Sequence, residues 1–221
     1  MKKLCMAVLA LLALTVFAGC VTATPGLRTV RGRGSMETHT IRASNFTGLH
    51  ISGGYELVFR QTANASVSMY IQSNLFEYVE TEVRGGVLYI SSTRNFNTGS
   101  RNTPRLYVNA PDLNLLSVQG AVEADIVLEV AELEIDVSGA ASVNLQGSAE
   151  ILNISSAGAA NVTAFDLTAT HVTVNIAGAG NADVYATGTL DVSIAGVGSV
   201  RYDGGAEVTR NIAGLGTVRR R

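Results

Sequence analysis

A glycine-ended repeat constrains this chain more than any other feature. Between Leu115 and Gly214, six apolar-led stretches close on Gln119-Gly120, Ser138-Gly139, Ala157-Gly158, Ala177-Gly178, Ala195-Gly196 and Ala213-Gly214. The glycines stand 19, 19, 20, 18 and 18 residues apart. Before each glycine apolar residues alternate, as in Leu133, Ile135, Val137, then Val172, Val174, Ile176, then Leu190, Val192, Ile194. Period-two alternation rich in Val and Ile marks a strand with one buried face. Beyond the glycine the alternation resumes, with Ala140, Val143 and Leu145 matched by Ala179, Ala182 and Val184 and then by Val197, Val200 and Tyr202. The glycine is read as the corner, since Gly tolerates backbone angles closed to other residues and small neighbours let the chain turn inward.

A unit this short, with two or three strands, is too small for a propeller blade and lacks the helical period of leucine-rich, ankyrin or TPR repeats. The fold expected is all-β: a single-stranded parallel β-helix, wound right-handed, with one rung per repeat stacked at ~4.8 Å. Equivalent residues then form columns. One inward column reads Leu116, Ile135, Ile154, Val174, Val192, Arg210, and a second reads Val118, Val137, Ser156, Ile176, Ile194, Ile212. Arg210 marks the last rung as atypical. Residues Glu37 to Pro111 repeat less regularly but read as strands, and are taken as earlier rungs holding the larger side chains. Within them only Asn74 to Tyr78 suits a helical turn, and Arg94 to Pro104 reads as one long polar loop. Arg219, Arg220 and Arg221 would either charge the open end of the stack against edge-to-edge pairing or form a solvated tail.

Composition agrees with an ordered chain of small residues: 47% hydrophobic, 15% charged, 6% aromatic, with 23 Gly, 3 Pro and no Trp among 221 residues. Those values fit neither disorder nor collagen. The 16 basic residues against 18 acids give a net charge of -2, and only Lys2 and Lys3 are lysines. No nucleic-acid partner is expected.

The N-terminus carries an address. Lys2-Lys3, an apolar run from Leu4 to Phe17 and then Ala18-Gly19-Cys20 follow the order of a secretory signal, too short to span a bilayer as a helix. Phe17-Ala18-Gly19-Cys20 resembles a lipoprotein lipobox, which implies a leader over 1–19 and acylation of Cys20. Cys5 leaves with the leader, so Cys20 has no intrachain partner. Acyl chains at ~0.8 kcal/mol per buried CH₂ would make the membrane a partner without a spanning segment. Val21 in place of Asp resembles the pattern sorted to the outer membrane. Residues 20–36, with Pro25, Gly26, Arg28, Arg31, Gly32, Arg33 and Gly34, read as a tether, and 37–221 as the β-helix domain.

Three stretches carry a family likeness: Ile41-Arg42, Phe46, Gly48-Leu49, Ile51 and Gly53-Gly54-Tyr55 with Leu57; Asn74-Leu75, Tyr78-Val79, Thr81-Glu82-Val83, Gly86, Leu88 and Ile90; and turns such as Gly178-Ala179-Gly180-Asn181. They resemble the head-GIN-domain family, autotransporter-adhesin-like domains of bacterial secreted proteins and lipoproteins. The resemblance covers Glu37 to Arg221 and implies a β-helix on the cell envelope with a role in adhesion or surface binding.

Envelope β-helices with enzymatic activity align carboxylates and arginines along one face. Here the outward columns read Glu123, Ser142, Asn161, Asn181, Ser199, Thr217 and Asp125, Asn144, Thr163, Asp183, Arg201, Arg219. Asp125 and Asp183 stand three rungs apart, roughly 14 Å, beyond the ~5 to 9.5 Å of paired glycosidase carboxylates. Asp125, Asn144, Asn161, Asn181, Asp183 and Arg201 are therefore candidates for a binding surface. The acidic run Glu123, Asp125, Glu129, Glu132, Glu134, Asp136 would disperse over more than one face, and His39, His50 and His171 lack ligand spacing. No catalytic, cofactor or metal role is assigned. The expectation is a non-enzymatic, lipid-anchored envelope protein displaying a surface to a glycan or protein. A glycan-binding or polysaccharide-degrading β-helix is one alternative, and a self-associating homo-oligomeric envelope module is another.

Overall fold

The computed structural model describes residues 28–99 and 102–221, so the leader, Cys20 and the start of the tether lie outside the described residues. In chain order the strands are β1 (Thr29–Arg31), β2 (Met36–Ile41), β3 (Gly48–Ile51), β4 (Gly54–Gln61), β5 (Ser66–Gln72), β6 (Val79–Arg84), β7 (Val87–Ser92), β8 (Asn95–Asn97) and β9 (Arg105–Ala110). They continue as β10 (Leu115–Val118), β11 (Ala121–Val137), β12 (Ala140–Ser156), β13 (Ala159–Ile176), β14 (Ala179–Ile194), β15 (Val197–Asp203), β16 (Glu207–Ile212) and β17 (Leu215–Arg220). The helical turn expected around Asn74 to Tyr78 is a single 3₁₀ turn, Phe76–Tyr78.

Parallel pairing makes the solenoid. The face leading into each glycine stacks β7, β3, β10 and then the second halves of β11, β12, β13 and β14 before β16. The face trailing it stacks β9, β4, the first halves of β11 to β14, then β15 and β17. Each of β11 to β14 thus trails one corner and leads into the next. Both inward columns hold in register, Leu116 against Ile135 through to Arg210 and Val118 against Val137 through to Ile212. Every member before the last rung is buried, while Arg210 and Ile212 are exposed.

Backbone dihedral freedom is not why the corner needs glycine. None of Gly120, Gly139, Gly158, Gly178, Gly196 and Gly214 has positive φ. Their constraint is proximity: a Cβ on Gly139 would lie 2.1 Å from the Gly120 carbonyl oxygen, on Gly158 1.9 Å from that of Gly139, and on Gly196 1.9 Å from that of Gly178. Each of those carbonyls accepts from the residue after the next glycine, Ala140 N–H to Gly120 at 2.6 Å, Ala159 N–H to Gly139 at 2.9 Å and Val197 N–H to Gly178 at 3.0 Å.

Core volume is balanced across the corner. The trailing column Tyr55, Val122, Ala141, Ala160, Gly180, Gly198, Gly216 shrinks along the stack. The facing column ends in isoleucines, and a Cβ on Gly198 would sit 3.3 Å from Ile176 Cδ1 and one on Gly216 2.9 Å from Ile194 Cδ1. Large side chains therefore concentrate in the N-terminal rungs, where Tyr55, Phe59, Leu49, Leu57 and Met69 are fully buried.

The N-terminal half departs from the expectation of plain rungs. Only β3, β4, β7 and β9 join the parallel stack, whereas β5 runs antiparallel to both β9 and β2, and β6 antiparallel to β7. These hairpin-like strands cover the first rungs, because larger and less regular side chains do not superpose as identical rungs do. The polar loop at Arg94 to Pro104 begins with β8, which pairs in parallel with β1. The end of the segment read as a tether is thereby folded onto the domain, and Arg33 N–H donates to Asn74 Oδ1 at 2.7 Å. The terminal arginines are no free tail either: Arg219 and Arg220 belong to β17, and Arg220 Nη2 donates to Gly204 O at 2.9 Å.

Two stability outcomes follow from this packing. Gly139→Ala should lose at least ~2 kcal/mol, since backbone rather than a movable side chain blocks the added methyl. Gly54→Ala, whose Cβ would meet nothing nearer than 4.0 Å, should stay within ~0.5 kcal/mol of the parent; urea denaturation of both variants makes the comparison. Ser156 sits in the second inward column with its hydroxyl unpartnered, so Ser156→Ala should raise the urea midpoint by an amount worth ~1 kcal/mol.

Candidate binding surface

The trailing face carries the outward columns. Parallel in-register stacking places like positions side by side at ~4.8 Å, so Glu123, Ser142, Asn161, Asn181, Ser199 and Thr217 form one ladder and Asp125, Asn144, Thr163, Asp183, Arg201 and Arg219 the next. The earlier strands extend the first by Arg105 and Glu56 and the second by Tyr107 and Val58. All six candidates, Asp125, Asn144, Asn161, Asn181, Asp183 and Arg201, thus lie on one face.

Lateral bonds tie the ladders together. Arg60 Nη2 donates to Asp125 Oδ2 at 2.5 Å and Asn144 Nδ2 to Asp125 Oδ1 at 3.1 Å. Asn181 Nδ2 donates to Asn161 Oδ1 at 3.0 Å, and Thr217 Oγ1 to Ser199 Oγ at 3.1 Å. Arg105 Nε reaches Glu56 Oε2 at 2.5 Å. Arg201 forks onto Asp183, its Nε donating to Oδ1 at 2.6 Å and its Nη2 to Oδ2. Arg60 and Arg105 were invisible to column counting from the glycines. Arg60 lies near the end of β4 and Arg105 at the start of β9, both before the first clear repeat, so only the register reveals them.

Electrostatics follow the bonds. Hydrogen bonding from Arg60, aided by Asn144, holds the Asp125 carboxyl below the usual carboxylate range. Asp183 raises Arg201 above the ordinary guanidinium value by hydrogen bond and charge together. Asp183 itself is buried beneath that guanidinium. Each acid named in the candidate set is thus engaged by its own arginine, which is an arrangement for rigidity more than for proton transfer.

The remaining acids and histidines take separate places. Glu123 and Asp125 stand on the trailing face while Glu132, Glu134 and Asp136 follow on the leading one, as the bend of β11 requires. His39 stacks on Phe76 with ring centroids 4.0 Å apart, His50 Nδ1 lies 3.0 Å from Ser117 Oγ, and His171 Nδ1 lies 2.9 Å from Thr189 Oγ1. Among the described residues no group of three or more His, Cys, Asp or Glu could hold a metal ion, and no helix is long and apolar enough to cross a membrane.

Shallow clefts of about 490 Å³ and 430 Å³ lie along the trailing face, one around Glu56, Arg105, Glu123 and Asn144, the other around Asn161, Asp183, Arg201 and Arg219. At the glycine corner, another of about 420 Å³ is lined by Tyr55, Ser92, Phe96 and Pro104. The Tyr55 hydroxyl is buried there, and burial pushes its pKa up to about 12.

The fold and face define a parallel β-solenoid that displays bonded polar ladders. Residues 45–206 match the family described as "putative auto-transporter adhesin, head GIN domain", and the chain belongs to it. The same fold occurs in a "putative adhesin" of Bacteroides fragilis, at 19% identity and a TM-score of 0.67, with 87% of this chain and 100% of that one covered. It recurs in "putative adhesins" of Parabacteroides distasonis (21% identity, TM-score 0.52, 87% and 100% covered) and Parabacteroides merdae (18%, 0.51, 88% and 99%). No curated protein matches the chain in sequence.

The Asp125 pair makes an acid-side test. A carboxylate whose native pKa is depressed stabilises the fold above its unfolded value and loses that contribution as pH falls through the native one. Asp125→Asn should therefore flatten the fall of Tm with pH below the ordinary value of 3.8. At pH 7 it should cost only a few tenths of a kcal/mol, because the pair is partly exposed. Thermal melts across pH 2 to 7 read both effects.

Proposed function

We propose that this protein is an exported, lipid-anchored envelope adhesin that presents the trailing face of its solenoid as a rigid binding surface, without catalysing a reaction. The observation that carries the reading is the engagement of Asp125 by Arg60 and of Asp183 by Arg201. A hydrolytic pair needs one carboxyl free to donate a proton and another free to accept or attack. Here both are neutralised and held in ladders of Asn, Ser and Thr. Fixed side chains on a sheet lose little freedom on binding, which favours recognition of a polar partner.

Family membership supports adhesion and export. The finer assignment, an outer-membrane lipoprotein acylated at Cys20, rests on the sequence of the leader. Docking of β1 onto β8 would set the N-terminal end of the stack next to the anchor and the later rungs farther from the membrane. The membrane, through Cys20, and a surface glycan or protein are the partners this reading supplies.

The full chain expressed in a Gram-negative host should incorporate radiolabelled palmitate and fractionate with membranes, and Cys20→Ser should abolish both. Applied to an array of bacterial and host polysaccharides, the acylated protein should retain ligand without releasing shorter products. Steady release of oligosaccharides would overturn the non-catalytic reading, and labelling that survives Cys20→Ser would overturn the anchor.

A further inference from the structure

The 20-residue interval between Gly158 and Gly178 breaks the repeat, and the structure shows what the extra length makes. Against β12, strand β13 slips after Asn144, so that Gln146 pairs with Asp166 and Phe165 is surplus to the ladder. Against β14 the register shifts twice, between Ala164 and Thr168 and between Ala169 and His171. A bulge re-aims a side chain that regular pairing would fix. Phe165 is half-buried and meets two guanidiniums, Arg221 at 4.8 Å and Arg201 at 5.7 Å from its ring centroid.

Beside this ring lies the 430 Å³ cleft on the trailing face. Its lining includes Arg201 and Arg219, neighbours in the ladder, against one carboxylate, Asp183. Asp183 is committed to Arg201 through the two-point fork. Arg219 is exposed and shows no ion pair among the described residues. Two adjacent cations sharing one anion leave a positive cleft that a second carboxylate would balance. Asn161, Asn181 and Ser199 supply amide and hydroxyl groups along the same wall. Their rung spacing of ~4.8 Å is close to the length of one sugar unit in a polysaccharide chain.

We infer that this cleft binds an acidic polysaccharide, with Arg219 receiving a uronate carboxylate and the Asn161, Asn181 and Ser199 ladder meeting the hydroxyls of the neighbouring units. Asp183 engages Arg201 through the two-point fork, so that Arg219 stands as the open guanidinium. The cleft lies on the face of a sheet whose backbone is already paired, which favours a glycan, whose hydroxyls both donate to and accept from amide and hydroxyl side chains, over an extended acidic peptide, whose main chain pairs best with an open sheet edge. The inference rests on the binding-surface reading and names its ligand class.

Titration calorimetry of the full chain with hexagalacturonate and hexamannuronate tests it, with the fully methyl-esterified hexagalacturonate as the neutral partner. At least one acid should bind, and esterification should weaken hexagalacturonate, if bound, by about tenfold or more. Arg219→Gln should impose a similar loss while leaving circular dichroism and Tm unchanged. Arg84→Gln, on the antiparallel cap far along the stack, should leave affinity unchanged. Binding of neither acid, equal binding of the ester, or equal loss in Arg84→Gln overturns the inference. Tighter binding of polyglutamate or of phosphatidylglycerol vesicles, lost in Arg219→Gln, overturns it in favour of a protein or a lipid surface. In each of these cases retention of another polysaccharide on the array leaves the display reading standing, whereas its absence as well removes both.

Discussion

Everything in this solenoid depends on how closely its rungs approach at one corner. The carbonyl of each corner glycine occupies the place where a side chain on the next one would be, and the same oxygen accepts the N–H that follows. A single methyl in that column would push two rungs apart, because the backbone of the rung before already fills its place. Because both faces turn at this line, the corner fixes their common register, and with it every inward and outward column. The repeat is therefore periodic in glycine first and in hydrophobicity second.

Register turns the core into a problem of volume along columns. Identical residues at equivalent positions pack as ladders, and any growth in one column must be offset across the interior. The shift from Tyr55 to Gly216 on the trailing side, facing Ile176 and Ile194, is such an offset. Where side chains are largest the offset fails to repeat, and the chain changes tactic. Strands β2, β5 and β6 run antiparallel and cover the first rungs, closing a stack whose exposed first edge would otherwise invite pairing.

The same register arranges chemistry on the outside. Side chains one rung apart meet at hydrogen-bonding distance, so polar residues there bond sideways and become rigid without a core of their own. Asp125 and Asp183 show how this disposes of charge, Asp183 neutralised within its ladder by Arg201 and Asp125 by Arg60 from the neighbouring column. One irregular rung escapes the rule, and its bulge places Phe165 among arginines next to a cleft with an uncompensated cation. Regular rungs build a stiff platform, and the departure from regularity marks a specific place on it.

The sequence alone determined the parallel β-solenoid, its rung length and the membership of its columns, because a period of glycine and alternating Val and Ile is a one-dimensional signal that stacking copies directly into space. Leu116, Ser156 and Asn181 stand in the columns that counting assigns them. Counting from corner glycines did not extend to Arg60 and Arg105, whose strands lie before the clear repeats. It gave the wrong reason for the corner, since dihedral freedom and close backbone approach select the same residue. It missed β1 on β8 and the antiparallel cap, both of which depend on pairings between segments that share no period. Tertiary structure decided those, and it decided which charges are spent on one another: a sequence shows Asp183, Arg201 and Arg219 as equals, and only their packing leaves Arg219 open.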